Sequence, residues 1–282
     1  MSTPKPSGVW ATAVGVARIR ALESARENAL FHDPLAAAFA EAAGLPVRPT
    51  TPPADPDDTA WRRWLGVAYS IVVRTRFLDE LLAEAVAADC RQVVLLGAGM
   101  DSRAYRLDWP EGTRLFELDT AEPLGFKASV LAAERAEPHC ERITVPVDLR
   151  EDWPAALTGA GFDPALPTAW IAEGLLIYLP EDAVELLLGR IGGLSAPGSR
   201  IGLTLGGRGV LQRFAEDAQQ PDSAAAMWLS EMPEDPEAWL DGLGWDARAY
   251  TLRERGAAYG RPISIPETRP EGPGGLISAR RR

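Results

Sequence analysis

The chain has 282 residues, 46% of them hydrophobic and 24% charged, which suits one large α/β domain and argues against global disorder. Its net charge of -11 disfavours nucleic acid or an anionic membrane as the main partner. Two cysteines (Cys90, Cys140) and two histidines (His32, His139) are too few for a disulfide framework, a histidine-rich zinc centre or a histidine-based hydrolase, and no metal is expected.

In chain order, Met1-Ser2-Thr3-Pro4-Lys5-Pro6 lacks the apolar core of a signal peptide. No stretch approaches about 18 consecutive apolar residues, so a soluble, cytoplasmic protein is expected. Residues 9–45 read as helical, with Asp33-Pro34 as an N-cap and first-turn pair before Leu35, Phe39 and Ala43. Residues 45–58 hold five prolines and three aspartates and read as an exposed loop. A long helix is predicted over 59–88 from the helical spacing of Trp61, Trp64, Ala68, Ile71, Leu78, Leu82 and Ala85.

From Arg91 onward, strand and helix patterns alternate. Strands are predicted at 92–96, 114–118, 142–147, 169–172 and 200–205. A helix containing Phe126 and Leu131 follows the second, and a helix over 180–194 follows the fourth. Such alternation gives a parallel sheet with right-handed crossovers. Residues 206–245 break the pattern with helical pieces at 210–218, 222–230 and 236–243, read as a lid or substrate cap. Two more strands, 246–252 and 275–280, flank an irregular 256–273. The expected fold is therefore an α/β, Rossmann-like sheet, mostly parallel with an antiparallel C-terminal strand, plus N-terminal helices and a helical cap. It forms one domain over 1–282: helical segment 9–88, core 91–205, cap 206–245 and C-terminal strands 246–282.

The chemistry gathers at the strand ends, where ligands sit in open α/β sheets. The first strand runs into Gly97-Ala98-Gly99, whose glycines let the backbone approach a ligand. Asp119 ends the second strand, 22 positions beyond Gly97, near the offset at which a carboxylate can hold both ribose hydroxyls. Asp148 and Leu149 follow the third strand, placed to read an adenine edge, and Glu173 follows the fourth. The alternative is that Asp119, Asp148 and Glu173 are solvated loop acids. No third glycine follows Gly99, and Asp101 stands where its charge would repel a pyrophosphate. Acidic strand ends instead suit the cationic sulfonium of S-adenosyl-L-methionine. A nicotinamide-dependent dehydrogenase is the rival, weakened by the missing GxGxxG and the absence of a Tyr-x-x-x-Lys sequence.

Arg76 reads as an intrahelical ion pair with Asp79 and Glu80. Arg74 falls on the apolar row with Ile71 and Leu78, so its guanidinium needs an interior partner. That partner is either the methionyl carboxylate of the cofactor or a structural salt bridge. Arg20 and Glu23 are weaker candidates for the substrate side, with a solvated helix face as the alternative. Tyr178 could line an acceptor pocket or simply pack. Met227, Trp228, Trp239 and Phe214 could line an apolar pocket or form the cap's own core.

These residues resemble the leucine carboxyl methyltransferase-like family of S-adenosylmethionine-dependent O-methyltransferases, in its bacterial branch, which includes polyketide carboxyl methyltransferases. The resemblance spans nearly the whole chain. It rests on Leu30-Phe31-His32-Asp33-Pro34, Val73-Arg74-Thr75-Arg76-Phe77-Leu78-Asp79, the stretch from Leu96 to Leu107, Phe116-Glu117-Leu118-Asp119, Val147-Asp148-Leu149-Arg150 and the stretch from Ala172 to Pro180. It implies that Arg74 binds the cofactor carboxylate, that Gly97 lies under the methionine moiety in a cofactor-binding loop with Ala98 and Gly99, and that Asp119 holds the ribose. It further implies Asp148 and Leu149 at the adenine and Glu173 at the amino end. Ser102 replaces the family's threonine and keeps the hydroxyl. Only Arg20 stands near a first-helix lysine of eukaryotic members.

Methyl transfer is an in-line displacement. A carboxylate acceptor, with pKa near about 4, is already ionised and needs no base. A phenol, near about 10, would need one such as Glu173, Asp101 or His32. The expected activity is O-methylation of a small-molecule or natural-product carboxylate. Hydroxyl methylation and a non-catalytic cofactor-binding protein are the alternatives, and the oligomeric state is not readable.

Overall fold

The sheet is built on short apolar strands that alternate their side chains between two helical layers. A computed structural model describes residues 8–48, 51–55, 58–206, 219, 224–231, 233–263 and 275–282. The strands are β1 (Gln92–Leu96), β2 (Arg114–Asp119), β3 (Glu141–Pro146), β4 (Thr168–Ala172), β5 (Arg200–Thr204), β6 (Trp245–Tyr250) and β7 (Leu276–Arg281). They lie in the order β3-β2-β1-β4-β5-β7-β6. Neighbours from β3 to β5 are parallel, and β7 runs antiparallel to both β5 and β6. Strand order reverses between β1 and β4, which opens a crevice at their carboxyl ends.

Period-two alternation assigns the faces. Val93 and Leu95 of β1 and Leu115 of β2 join one buried cluster. That cluster holds residues of α1 (Gly8–Ser24), α2 (Ala36–Ala42), α3 (Thr59–Ala87), α4 (Arg103–Arg106) and α5 (Ala121–Glu134). Val94 and Leu96 of β1 and Phe116 and Leu118 of β2 face the other cluster. There they meet α6 (Trp153–Gly159), α7 (Glu181–Gly193) and α8 (Pro236–Gly242). Strands buried on both faces read as continuous apolar runs, as Val93-Val94-Leu95-Leu96 does.

The expected strands are all present within one or two residues, and α3 matches its prediction closely. Asp58 caps it by accepting a hydrogen bond from the Trp61 amide at 2.7 Å. Four expectations change. The region 9–45 is two helices with non-helical chain between them. Asp33 does not cap the second, which begins only at Ala36: its Oδ1 accepts from the Leu35 amide at 3.2 Å, one residue ahead of the helix, while its Oδ2 pairs with the buried Arg20 at 2.8 Å. The sixth strand stops at Tyr250, because Thr251 caps a helix, α9 (Leu252–Ala258), by accepting from the Glu254 amide at 3.0 Å. Irregular chain was expected from 256; its portion 264–273 lies outside the described residues. Finally, α8 is no part of a cap. Its Leu240 is fully buried beside Trp245, and Trp239 packs on the same cluster. The predicted helix at 210–218 and Phe214 lie outside the described residues, and of 222–230 the described residues 224–230 form a 3-10 turn, Ala224–Met227, followed by non-helical chain. No described helix is long and apolar enough to cross a membrane.

Candidate active site

A cavity of about 1830 Å³ lies over the carboxyl ends of β1, β2 and β4. Gly97, Ala98 and Gly99 form its floor, with Gly97 at φ +65° and Gly99 at φ +41°. Side chains rarely adopt this left-handed backbone. At Gly99 a Cβ would also stand 2.9 Å from the Ala13 Cβ, so α1 lies directly on the loop. Asp119 fastens the loop from the neighbouring strand. Its Oδ2 accepts from the Gly99 amide and its Oδ1 from the Thr120 amide, each at 2.7 Å. Burial raises the Asp119 carboxyl above its usual value, and these two amides pull in the opposite direction.

Arg74 points inward from α3 and meets Glu173 at 3.0 Å, both side chains bordering the cavity. Its guanidinium lies against Gly174, where a Cβ would come within 3.2 Å of Nη2. The structure thus shows the interior partner that the helical spacing demanded, and it is Glu173. Asp148 and Leu149 also border the cavity, Asp148 being bonded to the exposed Arg150, which holds its carboxyl low. Arg20, expected on a solvated face if not functional, is 6% exposed and borders the cavity. It holds Asp33 and donates to the Met100 carbonyl. Glu23 is buried too, accepting from the Leu30 amide at 2.9 Å and pairing with Arg261 at 3.1 Å, away from the cavity wall. Arg76 pairs with Glu80 at 3.1 Å, as the helical spacing suggested. Asp79, however, turns to Arg103 and Arg106, each at 2.7 Å.

Arg103 is the residue that sequence reading passed over. It is 2% exposed and joins Asp79 at 2.7 Å, Glu173 at 2.9 Å and Asp101 in a short contact. Its sequence signal was an arginine just past the glycine loop with no acidic residue three or four positions away to pair with. The consequence reaches Asp101. Burial alone would raise the Asp101 carboxyl, but Arg103 leads Lys127, Arg20 and Arg106 in outweighing it and brings it down to about 2. Asp101 is therefore neutralised from within, so its charge does not by itself turn a pyrophosphate away. Glu173 behaves alike: burial pushes up, Arg103 and Arg74 pull down further, and the net direction is down.

Both carboxyls ionise more readily folded than unfolded, so their stabilisation is present above the ordinary carboxylate range and lost as pH falls through the folded values. Acid titration is expected to remove about 2 kcal/mol through Asp101 alone between roughly pH 4 and pH 2. Denaturant midpoints measured across that window check the loss.

The base candidates separate clearly. His32 is exposed and lies outside the cavity wall. Tyr178 is on the wall, its hydroxyl 3.4 Å from the Thr12 hydroxyl. Of the large apolar residues expected in the cap, Trp228 reaches the cavity, while Met227 and Trp239 do not border it. The segment after Trp228 is pinned, with the Leu229 amide donating to the Ile177 carbonyl at 2.7 Å and the Ser230 hydroxyl to Leu176 at 2.8 Å.

Residues 13–192 match the model of the leucine carboxyl methyltransferase family. The chain belongs to that family. It is 70% identical over 278 residues, 99% of this chain and 97% of the relative, to a protein of Streptomyces avermitilis named as an S-adenosyl-L-methionine-dependent methyltransferase. The same identity and coverage hold for a likewise named protein of Streptomyces coelicolor. A solved DUF574 family protein from Streptomyces avermitilis shares the fold at TM-score 0.58 and 16% identity, covering 94% of this chain and 97% of that one. This member of the family is an S-adenosyl-L-methionine-dependent methyltransferase. Its cavity fits the cofactor: Arg74 and Glu173 offer both charges that an amino-acid end requires, glycines form the floor, and Asp119 presents a carboxylate beside them.

Proposed function

We propose that this methyltransferase forms methyl esters, acting on a carboxylate of a small-molecule acceptor such as a natural-product intermediate. The observation that carries this reading is the state of the bases a hydroxyl acceptor would need. Asp101 is held at about 2 and Glu173 below its ordinary range by buried arginines, and His32 lies outside the cavity. A carboxylate, ionised at neutral pH, needs no such base.

The bound cofactor supplies an electrophilic methyl group on its sulfonium centre. The chain's task is then placement and exclusion of water, for which effective molarities of about 10⁵ M or more are available. Arg74 binds the carboxylate of the cofactor's amino-acid end and Glu173 its ammonium. Asp119 accepts from the ribose hydroxyls, and Asp148 with Leu149 flanks the adenine. Gly97, Ala98 and Gly99 let the backbone approach. Trp10, Val16, Trp64 and Trp228 give the remaining wall an apolar character, and the Tyr178 hydroxyl provides a polar point on it that can orient the acceptor. Arg20 supports the Met100 carbonyl from behind.

The test is the chemistry of the product. Protein incubated with methyl-labelled cofactor and a panel of aromatic and aliphatic acids and phenols is expected to give label released by mild base, as an ester is. Label retained through base, on phenols alone, would replace this reading with hydroxyl methylation.

A further inference from the structure

The cavity is larger than one cofactor requires. A pocket for a single drug-sized ligand holds about 300–1,000 Å³, whereas this one measures about 1830 Å³. An acceptor as large as the cofactor therefore fits beside it. Away from the glycine loop the wall is apolar, with Val16 and Ile19 of α1 and Trp64, Val67 and Ile71 of α3 bordering it. That lining continues uncovered to the mouth. Six large hydrophobic side chains are exposed among the described residues, and three of them, Val9 at 45%, Leu45 at 38% and Val67 at 44%, border this cavity. Exposed apolar side chains gathered around one opening mark a ligand surface, unlike single ones scattered over a molecule.

The charges on the wall divide into those with partners and a remainder. Arg20 is held by Asp33, Arg74 by Glu173, Asp101 by Arg103 and Asp148 by Arg150, while Asp119 takes two backbone amides. The remainder is Arg18, Arg63 and Glu231, two cations to one anion in a chain with 40 acidic and 29 basic residues. Arg63 and Glu231 are exposed, and Arg18 is half-buried. Arg18 Nε donates to the Pro46 carbonyl at 3.1 Å, and among the described residues its two Nη atoms make no hydrogen bond. The bond to Pro46 steadies the guanidinium and leaves its terminal edge, two parallel N–H groups that match the two oxygens of a carboxylate. Ala13 marks the floor, lying against the Gly99 position. Arg18, five residues on, is turned about 140° round α1 and stands about 7.5 Å further along its axis. It is on the wall but off the floor.

We propose that the acceptor is a large apolar molecule carrying two acidic groups, one methylated over the glycine loop and the other bound by Arg18 at the mouth. Arg18 is then the residue that selects diacids over monoacids. The methylated end rests on the function proposed above; the anion at Arg18 does not. An oxygen of the inner carboxylate bonds to the methyl carbon as the carbon–sulfur bond breaks, the electron pair stays on sulfur, and no proton moves. The product is a half-ester that keeps its outer charge.

The test measures binding without turnover. Protein saturated with S-adenosylhomocysteine, which has no methyl group to give, is titrated by calorimetry with α,ω-dicarboxylic acids of rising length and with monoacids of matched length. Fused aromatic acids and diacids form a second arm that separates a chain-like body from a planar one. At the best length the diacid is expected to bind at least about tenfold tighter than its monoacid in wild type, and within about twofold of it in Arg18→Gln. In wild type that preference should shrink as salt is raised, because a pair at the mouth is screened; this measurement needs no variant to fold. Equal affinity for monoacid and diacid, a preference that survives in Arg18→Gln or ignores salt, or no binding of any of these acids overturns the proposal. Diacids bound through Arg18 but never esterified with S-adenosylmethionine would count against the proposed function and leave the Arg18 site standing. Monoacids esterified as well as diacids would do the reverse.

Discussion

Replacing Arg103 by methionine is expected to destabilise the fold by about 3–5 kcal/mol, the cost of leaving buried charge without its partner. The reason is the arithmetic of the cluster under the glycine loop. Asp79, Asp101 and Glu173 all meet Arg103, and of these Asp79 keeps Arg106 and Glu173 keeps Arg74 when it is gone. Asp101 keeps no ion pair. Methionine fills a similar volume, so the loss reports charge rather than a cavity. Urea unfolding followed by two probes measures it through the midpoint at constant slope. The same variant should lose the acid-side dependence assigned to Asp101, because the guanidinium that depresses its carboxyl is absent. Stability within about 1 kcal/mol of wild type would show that the cluster relaxes or hydrates, and that Arg103 does not organise it.

The second large effect concerns the cofactor. Asp119→Ala is expected to weaken S-adenosylmethionine binding by about 10- to 100-fold, the range for removing a hydrogen-bond partner that carries charge. Two losses coincide in this variant. The diol loses its acceptor, and the Gly99 amide loses the 2.7 Å bond that fixes the loop beneath the ligand. Asp119→Asn separates them, since an amide oxygen can still accept from Gly99 while the charge is gone, so its loss should be the smaller. Calorimetry on both variants, with folding checked by circular dichroism, makes the comparison. Equal affinity in wild type and Asp119→Ala would remove Asp119 from the site.

Much of this was legible in the chain. The apolar run Val93-Val94-Leu95-Leu96, of strand length and followed by glycines, reads as a strand buried on both faces that ends at a backbone crevice, and β1 has those bounds. Regular spacing also placed Arg74 on the interior side of α3. Local rules failed where two local options compete. Asp33 before Pro34 is a reasonable helix cap, yet its carboxylate divides between the Leu35 amide and the buried Arg20 guanidinium, and α2 begins only at Ala36. Thr251 ended β6 because its hydroxyl could cap a helix, a choice the alternating pattern of 246–252 concealed.

What the sequence determined by itself is the order of strands and helices, the crevice at the strand ends and the set of acidic residues there. These follow from short-range periodicity and from glycine's freedom at positive φ. Only the tertiary structure decided how those acids are charged and partnered. Arg103 and Asp79 are 24 positions apart, Arg74 and Glu173 are 99 apart, and Arg142 and Glu117 are 25 apart. No local pattern links such pairs. Coulombic interaction in a dry interior depends on distance and burial, and both come into being only when the sheet has brought its strand ends together.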